Sequence, residues 1–155
     1  MKKSFVRALG VLAAFVVALA PLTARAACST ASTAGAWAYT YTGTIFTLNG
    51  PIPAAAVGRF KADAYGNFTG SQTRSLPGSS AVETIVGNLS VNPNCTGIVN
   101  VSVYQGVQLL RTAVLAIVYD DNVKHARAIF ESLTANGTNV PMVITLDSTR
   151  QFPED

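Results

Sequence analysis

Apolar and polar residues alternate with a period of two along much of the chain beyond residue 35. In the segment 36–42, Trp37, Tyr39 and Tyr41 fall on one side, and only alanine and threonine fall on the other. Successive side chains of a β-strand point to opposite faces of the sheet, so this period indicates strands rather than helices. The pattern predicts strands at 36–42, 45–48, 56–64, 67–74, 83–91, 97–105, 108–119, 124–134 and 140–147.

Turn residues separate these segments at intervals of roughly ten residues, which is typical of sandwiches and barrels. Gly, Pro, Asn or Asp occur at 49–51, 65–67, 76–78, 92–94, 105–106, 120–122 and 136–137. Such short connections favour antiparallel neighbours in chain order. Closing about eight strands into an up-and-down barrel would leave no exposed edge. We therefore expect an all-β, single-domain antiparallel barrel, with a helical turn as one alternative at 51–56.

The first 26 residues follow a different pattern. Two lysines and an arginine precede an apolar run from 8 to 22, and Ala24 and Ala26 give the small-x-small spacing of a cleavage site. Pro21 interrupts the run, which is shorter than the roughly 20 apolar residues of a membrane span. The pattern predicts a cleaved signal peptide at 1–26 and a secreted or periplasmic domain at 27–155, with no stable membrane anchor after cleavage.

Loss of the signal peptide changes the charge of the protein. The full chain has 11 Lys and Arg against 8 Asp and Glu. Four of the basic residues lie in the signal peptide, so seven remain against the same eight acidic residues. A nearly neutral domain lacks the basic surplus that drives binding to nucleic acid or to anionic lipid. We therefore expect no nucleic-acid partner.

The two cysteines, Cys28 and Cys95, both lie in the predicted exported domain. An even number of cysteines in an oxidising compartment favours a disulfide, which here would fasten the N-terminus to the middle of the sheet. A reactive thiol pair or a pair of metal ligands is the alternative. Nothing nearby supplies the further His or Cys that a zinc site needs, so we expect no metal site. The glycines occur singly and form no phosphate-binding loop, so we expect no cofactor.

The aromatic face of Trp37, Tyr39 and Tyr41 has two interpretations. The rings either pack an ordinary core or form the wall of a ligand cavity. Large aromatic surfaces with few polar demands suit a pocket for an apolar molecule.

The segment 124–134 contains further candidate catalytic residues. His125, the only histidine of the chain, shares one predicted face with Arg127, Glu131 and Leu133. Charged neighbours of this kind can tune a histidine for proton transfer. The alternative interpretation is a solvated outer face whose charges serve solubility.

The start of the first predicted strand, Gly35-Ala36-Trp37, resembles the Gly-x-Trp signature of lipocalins and the wider calycin group. A longer pattern runs from Cys28 through the turn at 65–67 to residues 87–97, and it is similar to small exported bacterial β-barrels. Barrels of the allene oxide cyclase type have a comparable size. The resemblance implies a barrel whose interior either binds an apolar molecule or shapes one for cyclisation.

Three classes of function follow from this fold. The first, which we favour, is binding of a small apolar or amphipathic molecule inside the barrel. An eight-stranded barrel is just wide enough either to be filled by its own side chains or to hold one small ligand. The second is a cyclase or isomerase in which Glu83, Glu131 or a tyrosine polarises the substrate, with His125 as a further candidate. The third is a structural or interaction module with a filled core. An open lumen would favour binding, and a buried carboxylate beside that lumen would favour catalysis. A packed interior would favour the structural module.

Overall fold

A computed structural model describes residues 28–151, so the predicted signal peptide lies outside the described residues. The strands are β1 (Gly35–Thr47), β2 (Gly50–Ala62), β3 (Asn67–Leu76), β4 (Ser79–Val91), β5 (Thr96–Gln105), β6 (Gln108–Asp120), β7 (His125–Ala135), β8 (Thr138–Asn139) and β9 (Met142–Arg150). The helical content of this part of the chain is two 3-10 turns, Ala31–Thr33 and Asp121–Val123. The predicted all-β class is confirmed. In the same residues no helix has the length and hydrophobicity to cross a membrane.

Eight of the strands close into a barrel. Each strand from β1 to β6 pairs antiparallel with the next one in the chain, and β6 pairs with β7. β9 then pairs with both β7 and β1, which completes the ring. β8 adds two residues beside β7. Every strand of the ring has a partner on both sides, so the predicted eight-stranded up-and-down barrel is confirmed.

The first hairpin differs from the prediction. The segments 36–42 and 45–48 form one continuous strand, because Gly43 and Thr44 pair with Ala54 and Pro53. The helical turn considered at 51–56 is wrong, since these residues belong to β2. Proline is tolerated there because β3 pairs with β2 only from Ala55 onward. Pro51 and Pro53 lack a backbone N–H group, but at these positions the absence removes no hydrogen bond to β3.

A β-bulge in β7 corrects the predicted faces of that strand. Leu115 pairs with Phe130 while Val114 pairs with Ser132, so Glu131 is the extra residue of the bulge. The sequence pattern placed Leu133 on the same face as His125, but beyond the bulge Leu133 turns inward and is buried. The strict period of two therefore fails from residue 131 onward.

The two ends of the barrel are closed differently. At one end, here called the disulfide end, Cys28 is bonded to Cys95, with 4.9 Å between their Cα atoms. The predicted disulfide is thus confirmed. Trp37 packs in a stacked arrangement on Phe60, and its Nε1 donates to the carbonyl oxygen of Thr33 at 2.9 Å. The opposite end, here called the hairpin end, carries the connections β1 to β2, β3 to β4, β5 to β6 and β7 to β9.

Candidate functional site

A carboxylate is enclosed in the interior near the hairpin end. Glu83 lies on the inner face of β4 together with Ile85 and Leu89, and its side chain has 0% relative exposure. A buried charge is costly unless it is paired and hydrogen-bonded. The surroundings of Glu83 meet that requirement.

Each of the two carboxylate oxygens of Glu83 accepts two hydrogen bonds. Oε1 accepts from Arg74 Nε at 2.8 Å and from Arg111 Nη1 at 2.9 Å. Oε2 accepts from Gln72 Nε2 at 2.7 Å and from Arg111 Nη2 at 2.5 Å. Tyr39 Oη in turn donates to Gln72 Oε1 at 2.7 Å. We call these five residues the Glu83 network, and it links strands β1, β3, β4 and β6.

The strand pattern explains how these side chains meet. Gln72 and Arg74 follow Phe68 at even spacing on β3, so all three point inward. On β6, Arg111 precedes Ala113 and Leu115 at even spacing, so it points inward with them. A second bulge lies just before it, because Val103 pairs with Arg111 while Tyr104 pairs with Leu109, which leaves Leu110 as the extra residue.

The network fixes the ionisation of its members. Burial alone would raise the pKa of Glu83, but the hydrogen bonds from Arg111, Arg74 and Gln72 outweigh it and hold the pKa at about 2. Burial raises the pKa of Tyr39, and nearby Tyr41 and Glu83 add to the effect. Burial also raises the pKa of Tyr41. At neutral pH Glu83 is therefore ionised and both tyrosines are neutral.

A small cavity lies on the barrel axis beside the network. Its volume is about 70 Å³, and all eight strands of the ring contribute to its wall. The wall is mainly apolar, with Phe60, Phe68, Ile85, Val101, Leu115 and Leu146 among its members. Four side chains bring polar atoms to it, namely Tyr39, Tyr41, Gln72 and Arg111. Within residues 28–151 every buried side-chain nitrogen or oxygen has a hydrogen-bond partner.

The three aromatic residues singled out in the sequence are all buried, but they separate into two groups. Tyr39 and Tyr41 line the cavity. Trp37 has 1% relative exposure and lies in the core of the disulfide end, with its ring edge-on to Tyr119. Phe60 lines the cavity and stacks on Trp37, so a molecule in the cavity would not touch Trp37 directly.

The sequence candidates for proton transfer lie apart from one another. Glu83 is interior, whereas Glu131 is exposed at the bulge of β7. His125 is on the outer surface, where Nδ1 lies 2.7 Å from Asp120 Oδ1 and Nε2 lies 2.8 Å from Asp147 Oδ2. Both ring nitrogens are thus occupied by carboxylates. In the described part of the chain no group of three or more acidic, His or Cys side chains is arranged to hold a metal ion.

The residues that the sequence reasoning missed are Gln72, Arg74 and Arg111. A signal for the first two was present, because both share a face with Phe68 in an otherwise alternating strand. Polar side chains on an inward face indicate a buried network. Arg111 carried the same signal, because it shares a period-two face with Ala113, Leu115 and Ile117.

Two solved structures are similar to this chain. One is a protein described as a candidate AttH from Nitrosomonas europaea; the alignment covers 78% of this chain and 53% of that one, at 10% identity and a TM-score of 0.41. The other is Rv2717c from M. tuberculosis, with 78% and 94% covered, 14% identity and a TM-score of 0.36. The chain thus spans about half the length of the first protein.

No family model matches the chain, and no curated protein matches it. The resemblance to calycins or to allene oxide cyclases is not confirmed by these comparisons. Neither solved structure transfers a residue role to this chain.

Proposed function

We propose that the barrel binds a small amphipathic molecule in its interior, between the axial cavity and the hairpin end. The apolar part of the molecule occupies the cavity, and its polar part lies against the Glu83 network. The supporting observation is a cavity on the barrel axis that is apolar except where Tyr39, Tyr41, Gln72 and Arg111 reach it. Binding sites for small molecules commonly combine an apolar wall with a few placed polar groups.

The size of the cavity limits the ligand. Its 70 Å³ is well below the roughly 150 Å³ of a cavity that binds benzene. The apolar part is therefore a short chain of a few carbons, unless side chains such as Leu133 move aside. We further propose that binding takes place outside the cytoplasm, which the disulfide between Cys28 and Cys95 supports.

A chain-length series tests this function. The isotope-labelled protein is titrated with straight-chain alcohols from ethanol to octanol while amide shifts are followed by NMR. We expect saturable shifts at cavity residues such as Val101, Val103 and Leu133. Affinity should rise by roughly a factor of four per methylene, about 0.8 kcal/mol, until the cavity is full, and should then level off.

A matched pair of variants tests whether the alcohols bind in the axial cavity. Leu133→Ala enlarges the cavity and should move the preferred alcohol to a longer chain. Leu89→Ala removes the same atoms from the buried inner face of β4 at a position outside the cavity wall. It should cost comparable stability and leave the preferred length unchanged. Identical length preferences in both variants would contradict an axial site.

A structural or interaction module with a filled core is the second candidate. It is favoured by one observation, the small size of the cavity compared with the roughly 300–1,000 Å³ of typical ligand pockets. Absence of saturable shifts with every alcohol would support it. The cyclase or isomerase alternative has less support, because a carboxylate with a pKa of about 2 and four donated hydrogen bonds is poorly suited to proton transfer near neutral pH.

A further inference from the structure

We infer that the polar group of the ligand is an anion, most simply a carboxylate, held by the two guanidinium groups of the Glu83 network. This inference rests on the proposed interior site. It concerns which class of amphipathic molecule that site accepts.

The charges at the hairpin end do not balance. Arg74 and Arg111 both bond to one carboxylate, that of Glu83, so the network carries one unit of positive charge in excess. The phenols of Tyr39 and Tyr41 are neutral and offset none of it. The connecting residues at this end are 48–49, 77–78, 106–107, 136–137 and 140–141, and none of them is charged.

The two arginines differ in how many donors they use. Arg111 donates a hydrogen bond to Glu83 from each of its Nη atoms, which forms a bidentate pair. Arg74 reaches Glu83 through Nε, and within residues 28–151 that is its one side-chain hydrogen bond to the protein. Its side chain is 18% exposed on the inner side of β3. Its Nη atoms are therefore the donors that a molecule entering from the hairpin end can use.

An anion satisfies this arrangement better than a neutral group does. A guanidinium on a side chain that is only 18% exposed retains little of its hydration, and a charge-assisted hydrogen bond is about twice as strong as a neutral one. Planar carboxylates also match the fork of an arginine side chain. A ligand with a short alkyl chain and a carboxylate would fill the cavity and neutralise the excess charge together.

Three probes of equal length test this inference. Butyrate, butanol and butylammonium are titrated separately into the labelled protein, and affinities are taken from the shifts of Val101 and Leu133. We expect butyrate to bind about tenfold more tightly than butanol, as one added charge-assisted contact implies. Butylammonium should bind more weakly than butanol.

Charge variants test whether the preference for butyrate over butanol depends on the Glu83 network. Arg74→Gln leaves the neutral pair of Glu83 and Arg111, so butyrate and butanol should bind about equally to this variant. Arg74→Lys keeps the charge and should restore most of the preference. Arg59→Gln removes the same charge from the exposed outer face of β2 and should have no effect, which excludes attraction by net charge. Chemical denaturation of each variant verifies that it is folded.

The outcomes separate the two proposals. Equal affinities for butyrate and butanol in the unmodified protein would overturn the anion inference and leave interior binding intact. A butyrate preference that survives Arg74→Gln would overturn it too, because the anion would then lie elsewhere. Absence of binding by all three probes would remove the interior site and the inference with it.

Discussion

Glu83 illustrates at the residue scale why the interior network calls for a functional interpretation. Buried ion pairs contribute little net stability, because desolvation offsets most of the attraction between the charges. Apolar side chains of similar volume would fill the same space at no loss of stability. The barrel nevertheless encloses one carboxylate, two guanidinium groups, an amide and a phenol beside its cavity. The proposed recognition of a polar group would account for this costly arrangement, which a contribution to stability does not.

His125 carries a different kind of charge interaction, on the outer surface. The hydrogen bond with Asp147, followed by that with Asp120, raises the pKa of His125 above its ordinary 6.5. A raised pKa means that the folded protein favours the protonated ring. Its stabilisation is complete below about pH 6.5 and is lost as the pH rises through the folded-state pKa. We expect the melting temperature to fall as the pH rises above about 6.5, and His125→Gln to remove that part of the fall.

The control for this pH effect is Arg127→Gln. Arg127 lies on the same face, 3.6 Å from Asp120, and its side chain is largely exposed. The variant loses a positive charge and keeps the histidine with both of its carboxylate partners. The slope of melting temperature against pH should therefore stay as in the unmodified protein. An unchanged slope in His125→Gln would show that the histidine is not coupled to the carboxylates.

At the scale of the strand pair, inward glycines make room for the aromatic side chains. Tyr39 on β1 pairs directly with Gly58 on β2. A Cβ added at Gly58 would lie 2.7 Å from Tyr39 Cζ and 2.7 Å from the carbonyl oxygen of Ser71. Gly58→Ala should therefore displace the ring, break the hydrogen bond to Gln72 and destabilise the protein by about 1–3 kcal/mol.

A double-mutant cycle separates the ring from the backbone contact. In a Tyr39→Ala background the same Gly58→Ala change no longer meets the tyrosine ring and keeps the close contact with the Ser71 carbonyl, so it should cost less. Denaturant unfolding of the four proteins gives the coupling energy. Equal costs in both backgrounds would mean that the ring does not depend on Gly58.

The positions of most strands and turns could be predicted, because they depend on residues that are close together in the sequence. Turns depend on short-range preferences, and the turn glycines Gly66, Gly78, Gly106 and Gly137 all have positive φ, as such turns require. The enclosure of Glu83 could also be read from its alternation with Ile85 and Leu89. These features depend only on neighbours along the chain.

The remaining features depend on contacts between distant segments. Whether Pro51 and Pro53 fit a strand depends on where β3 begins to pair. The direction of Leu133 depends on a bulge that one extra residue creates. Arg111 meets Glu83 across β5, because β4 and β6 are not adjacent in the barrel. No period in a single segment contains that information.

At the scale of the whole molecule, the proposed ligand site and the disulfide lie at opposite ends of the barrel. The disulfide end holds the chain segment before β1. Thr30 Oγ1 accepts a hydrogen bond from the Val91 backbone at 3.0 Å, and Arg150 donates to the carbonyl oxygens of Ser32 and Ala34. The hairpin end has uncharged turns above the polar network. We therefore expect changes at the disulfide end to alter stability and to leave ligand selection unaffected.

Removal of the disulfide tests that expectation. Cys28 and Cys95 are 67 positions apart, so the bond restricts the unfolded chain strongly. Replacing both with serine should lower the free energy of unfolding by about 3–4 kcal/mol, and the unmodified protein in reductant should match the variant. The barrel should still form, because the ring of strands is closed without the bond. The preference for butyrate over butanol should persist in the variant, since Arg74 and Arg111 lie at the other end. An unchanged denaturation midpoint, or a lost preference in a folded variant, would contradict this separation of roles.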